Sequence, residues 1–198
     1  MLPDLSSVDH GELTLLAWTQ REGVTVDHLR QWTNESLDEI IAILADVDDA
    51  DLVFVPVDPN ANDTFAASDA EKDIPWNLAH LVVHATASSE EGAAIGSILA
   101  RGVPFPADLR LRYETAWETV TTRAQVEQRL AESRRIRLGY LDAFPDAPNT
   151  ELLRALSPRF VERFGEMNSI TAFLFALKHE LGHHEQFRDT MRQAVAAR

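Results

Sequence analysis

The sequence predicts an all-α fold, a four-helix bundle with a short N-terminal helical extension. Three observations carry this. Apolar residues recur at three- and four-residue steps in four long segments. Proline and glycine mark the ends of those segments. Nowhere is there a sustained apolar–polar alternation or a repeat of fixed length. At 198 residues with 45% apolar composition, the chain suits one domain over 1–198, with 1–24 as the extension and 25–198 as the bundle.

Ser7 to Gln20 carries a short helical pattern through Leu13, Leu15, Leu16 and Trp18, stopped near Gly23. Leu29, Trp32, Leu37, Ile40, Ile41 and Leu44 then form an apolar stripe that defines the first bundle helix, from Thr25 to Ala45. Asp46 to Asp73, with Pro56, Pro59 and many aspartates, reads as a long connection. Asp46, Asp48, Asp49 and Asp51 imitate a calcium loop, but its glycine and glutamate positions hold Asp51 and Val57, so a solvated acidic loop is expected.

Pro75 fits the first turn of a second helix that continues through Trp76, Leu78, Leu81, Val82, Val83, Ile95 and Leu99 to Arg101, where Gly102 and Pro104 end it. Thr122 can cap a third helix through Val126, Leu130, Ile136, Leu138 and Leu141, closed by Pro145 and Pro148. The basic run Arg134-Arg135-Ile136-Arg137 reads as a solvated face of that helix. A connecting element, Thr150 to Phe164, precedes one last long helix from Asn168 to Arg198. Helices of this number and length, joined at proline-marked connections, argue for a bundle.

A net charge of −14 repels nucleic-acid phosphates, so no nucleic-acid partner is expected. No apolar run reaches the roughly 18 residues of a membrane span, and the start lacks a basic and then apolar leader, so a cytoplasmic chain without a membrane partner is expected. With no cysteine, any metal must be held by His, Asp or Glu.

Five of the seven histidines fall in two groups, His80 and His84 on the second helix and His179, His183 and His184 on the last. Residues four apart share a helix face, so each i, i+4 pair can aim two imidazoles at one point. A neutral imidazole is a common ligand of divalent metals. Ala172 and Ala176 lie on the histidine face of the last helix and are expected to leave room for an ion and its ligand. Phe173, Leu174, Leu177 and Leu181 form an apolar side offset from it, suited to a partner helix or to core.

The run Trp76-Asn77-Leu78-Ala79-His80-Leu81-Val82-Val83-His84, followed by small residues and Glu90-Glu91, resembles the signature of the DinB-like metal-binding bundles. There a tryptophan precedes a ligand histidine by eight residues. His179-Glu180-Leu181-Gly182-His183-His184-Glu185-Gln186 is similar to that family's closing helix, with two ligand histidines and a glutamine three residues on. The resemblance covers Thr25 to Arg198. It implies His84, His179 and His183 as metal ligands, with His80 a supporting or core histidine. The metal is a divalent ion such as zinc, nickel, iron or manganese. The resemblance also implies a metal-dependent transferase using a low-molecular-weight thiol, or a hydrolase, acting on a small-molecule substrate and assembled as a homodimer. A non-catalytic metal- or ligand-binding dimer is the alternative.

His179-Glu180-Leu181-Gly182-His183 also fits the HExxH pattern of zinc proteases, in which the glutamate activates water. The third ligand of the extended pattern is missing, since Gln186 and Asp189 stand where its glycine and histidine belong. Glu180 lies about 100° around the helix from His179. As a residue outside the ligand set, it is expected to tolerate change to Gln with near-normal stability.

Overall fold

The structure, a computed structural model, describes residues 1–59, 61, 72–107 and 109–198. Part of the long connection after the first bundle helix therefore lies outside the described residues. In chain order the helices are α1 (Ser6–Asp9), α2 (Leu15–Arg21), α3 (Val26–Ile43), α4 (Asp49–Leu52), α5 (Leu78–Ala100), α6 (Arg123–Asp142), α7 (Pro158–Phe164), α8 (Ser169–Gly182) and α9 (His184–Ala196). No strand occurs among the described residues.

Each long helix starts where a short polar side chain satisfies free N–H groups: Thr25 for α3, Asn77 for α5, Thr122 for α6 and Asn168 for α8. Asn77 rather than Pro75 begins the second bundle helix, because its side chain accepts from the His80 amide at 2.9 Å. Pro75 and Trp76 stay outside the helix, and the Trp76 ring lies over its first turn. Gly102, at φ +74°, takes the left-handed conformation that ends α5.

α5 packs against α6 and α8, and α3 closes the bundle against α6, α8 and α9. α5 is buried over nearly its whole length, which is why its sequence is apolar or small on all sides. Leu37, Ile40, Leu78, Leu81, Val82, Leu130 and Phe187 fill one core region. Leu15, Trp18, Leu29, Trp32, Phe173, Leu174 and Leu177 fill a second, so the N-terminal extension contributes directly to the core. Burial of one such side chain is worth about 1.5–3 kcal/mol.

Besides the start of α5, four expectations change. The last helix is broken at His183, whose amide donates to the Glu180 carbonyl at 3.0 Å, a tightened turn between α8 and α9. Arg137 is fully buried, not solvated, although Arg134 does pair at the surface with Asp38. Asp51 is buried and bonded to Arg198, while Asp48 caps α4, so the acidic segment is partly built into the fold. Ala172 and Ala176 leave no room beside the histidines, because they seat α8 directly against Gly92 of α5. The Phe173–Leu174–Leu177 side is core.

Among the described residues, no helix is long and apolar enough to cross a membrane.

Candidate metal centre

Antiparallel packing of α5 against α8 brings His84 to His179, and the turn between α8 and α9 adds His183. The Nε2 atoms of His84 and His179 lie 3.4 Å apart, and those of His179 and His183 lie 3.3 Å apart. One ligand atom from each of the three residues lies within 4.8 Å of the others. Two nitrogens bound at about 2.0–2.1 Å to one tetrahedral ion stand roughly 3.3–3.4 Å apart, so this spacing fits a single divalent cation.

The outer nitrogens favour that fit. His183 Nδ1 donates to Gln186 Oε1 at 2.9 Å, which leaves the Nε2 lone pair free to face inward. The break at His183 gives Gln186 its place on the first turn of α9. His84 Nδ1 lies 3.4 Å from Glu114 Oε1 and 2.8 Å from Arg112 Nη2, and Arg112 and Glu114 are themselves an ion pair. A guanidinium only donates, so His84 Nδ1 accepts from Arg112 in this geometry; a metal on Nε2 requires the Nδ1–H tautomer, with Glu114 as its acceptor and Arg112 drawn off Nδ1 toward Glu114.

Burial keeps the His179 and His183 rings neutral. Partial burial, then the neighbouring His183, His84 and Arg112, hold His179 down to about 3 even though part of this residue meets solvent. Burial also lowers His183. Neutral rings offer lone pairs at neutral pH without a proton to lose. For Glu114, burial raises the carboxyl, but the His84 hydrogen bond and the Arg112 charge outweigh it and bring it to about 2.

Trp76 covers the site, with its ring 4.3 Å from His84 and 5.7 Å from His183 between centroids. His80 lies between Trp76 at 4.6 Å and Trp117 at 4.9 Å, stacked nearly parallel on the latter. His80, His84 and Glu114 form a second cluster of possible ligands. The Arg112 guanidinium already sits against His84 Nδ1 at that end, so a cation is disfavoured there. His184 turns the other way, toward Ser36 at 3.1 Å and Glu39 at 3.3 Å.

Glu180 is remote from this chemistry. It is fully buried and accepts from Ser36 Oγ at 2.6 Å, Ser89 Oγ at 3.0 Å and Arg137 Nη1 at 3.0 Å. The general base of an HExxH protease is thus committed to the core, and its replacement is no longer expected to be mild.

Sequence reasoning singled out Trp76, His84, His179, His183 and Gln186, which the structure brings together, but not Arg112, Glu114 and Trp117, which lie beside them. Those three sit on the segment between α5 and α6, irregular apart from one 3-10 turn at Trp117–Thr119 and without a periodicity to read. Glu91 anchors that segment by accepting from the Leu111 amide at 2.9 Å and the Arg112 amide at 3.1 Å. The one available signal was Glu90-Glu91 on an otherwise apolar and small helix.

A family model for the DinB superfamily matches residues 31–187. The match includes all three inward-facing histidines and Gln186. No curated protein and no solved structure gives a match.

Proposed function

The chain belongs to the DinB superfamily, and from that premise we propose that it holds a divalent metal through His84, His179 and His183 and acts as a metal-dependent transferase of a low-molecular-weight thiol. The observation that carries this reading is the convergence of the three rings, with the His179 Nε2 3.4 Å from that of His84 and 3.3 Å from that of His183 and one ligand atom of each residue within 4.8 Å of the others. Zinc, nickel, iron and manganese all accept such a donor set. Bound there, the ion would supply Lewis acidity and lower the pKa of a thiol or water beside it.

The chain's own residues do the rest. Gln186 fixes the tautomer of His183, Glu114 stands within reach of His84 Nδ1 as the acceptor its ligand tautomer needs, and Trp76 covers the His84 and His183 rings. A thiol is favoured over water as the nucleophile because Glu114, the carboxylate beside the histidines, is a poor base. Glu180 is committed to Arg137, and Glu114 is held at about 2. The chain has no cysteine, so the thiol is a cosubstrate from solution. A hydrolase is the second form of the same reading.

The proposal includes one domain over 1–198, supported by the burial of Leu15 and Trp18 among bundle residues. It also includes a cytoplasmic homodimer, to be checked by sedimentation. The central experiment is elemental analysis of protein purified without an affinity tag, followed by a thiol screen with an electrophilic acceptor. Near-stoichiometric metal is expected in the wild type and loss of it in the His84→Ala, His179→Ala, His183→Ala triple variant. Unchanged metal in that variant refutes the ligand assignment, and absence of thiol transfer with metal bound refutes the activity.

A further inference from the structure

Arg137 and Glu180 form an ion pair with both side chains fully inaccessible to solvent. Arg137 also has two donors, Nε and Nη2, without a partner in the structure, and the neighbouring Ser133 hydroxyl has none either. A buried pair with incomplete hydrogen bonding is a poor way to stabilise a core, since apolar residues of the same volume often do as well or better. Its place in the fold points to another use.

Glu180 follows His179 directly and precedes His183 by three residues. Its Oε1 accepts from Ser36 of α3 and Arg137 of α6, and its Oε2 accepts from Ser89 of α5. One side chain of α8 is therefore tied to each of the other three bundle helices by directional bonds. Ser36 also contacts His184 Nε2 at 3.1 Å, on the far side of the helix break. The ligand-bearing turn, His179 to His183, thus contains one residue, Glu180, and is followed by another, His184, that contact the same serine. Apolar packing alone is non-directional and tolerates small rotations of a helix about its axis. Bonds in three directions do not.

We infer that the buried Arg137–Glu180 pair, with Ser36 and Ser89, is a positioning device that sets the rotation of α8 and the break at His183, so that His179 and His183 meet His84. The inference rests on the metal reading above. Arg137 and Glu180 touch no reacting atom and act only through the ligands.

The test replaces the pair by apolar residues, Arg137→Met with Glu180→Leu, and titrates metal-free protein with Co2+. Stability is followed by denaturant unfolding and coordination by visible absorption. The expected result is a folded variant about as stable as the wild type whose Co2+ affinity falls about 10–100-fold, the usual consequence of losing support around ligands. Its saturated cobalt spectrum should also differ from that of the wild type. Ser89→Ala, run in parallel, removes one hydroxyl with little risk to the fold and is expected to weaken Co2+ by about threefold to tenfold. Wild-type affinity and spectrum in both variants would overturn the inference while leaving the metal reading intact. A wild type that binds no Co2+ would overturn the metal reading and the inference with it.

Discussion

Gly92→Ala should destabilise the protein although alanine is the better helix former. A Cβ built on Gly92 of α5 falls far inside contact distance of the Ala176 Cβ and 3.0 Å from the Ala172 carbonyl oxygen, both on α8. Restoring an ordinary carbon–carbon separation of about 3.5–4 Å forces the two helices apart by more than about 1 Å. Overpacking of this kind costs about 1–3 kcal/mol, and more where backbone must move. The helix-propensity gain returns only about 1 kcal/mol. The net loss is therefore up to about 2 kcal/mol, and more because the Ala172 carbonyl that must give way is backbone, at about 2–4 °C in Tm for each kcal/mol. The same parting separates His84 from His179, whose nitrogens are 3.4 Å apart, so metal affinity should fall as well. Gly139, inside α6 with nothing within 4 Å of its virtual Cβ, is the internal control. Gly139→Ala should gain about 0.5–1 kcal/mol and leave metal binding unchanged. Denaturant unfolding and Co2+ titration of the two variants decide the matter, and a Gly92→Ala protein as stable as Gly139→Ala would refute the close-packing argument.

His84→Ala should lose most bound metal and His80→Ala should keep most of it, because His84 faces His179 while His80 lies between two indoles; elemental analysis of the two variants distinguishes them. Gln186→Leu removes the acceptor that fixes the His183 tautomer and should weaken Co2+ by about 10–100-fold in a titration, and an unchanged affinity would remove Gln186 from the site. Metal-free protein should lose stability as pH falls from 7 to 5.5. Burial lowers His183 and His184 below the ordinary 6.5, so the unfolded chain takes up protons there that the folded chain does not. For the buried His184 the slope is at most about 1.4 kcal/mol per pH unit, and equal denaturation midpoints at the two pH values would contradict it. Glu114 adds a second loss as pH falls from about 4.5 toward 2. Leu174→Ala, at a fully buried core position, should cost about 2–5 kcal/mol in denaturant unfolding.

The sequence by itself determined where the long helices begin and half of the candidate site. Helix period, caps and breakers are local, so Thr25, Thr122 and Asn168 announced three long helices, and Asn77 lay within three residues of the expected start of the fourth. The i, i+4 histidine spacing is local too, as is the offset from Trp76 to His84. That is why three inward-facing histidines and Gln186 were legible before any packing was known. Only the tertiary structure decided what lies between elements. Arg137 reads as a surface arginine because a basic run on a helix says nothing about which turn meets a buried carboxylate 43 residues away. Ala172 and Ala176 read as space because small residues leave a gap or permit close approach, and only the facing Gly92 chooses between the two. Arg112 and Glu114 reach His84 from a segment without periodicity, held by Glu91. The interruption at His183 coincides with a hydrogen-bond network joining α3, α5 and α6 to Glu180, a contact pattern that no stretch of α8 or α9 contains on its own.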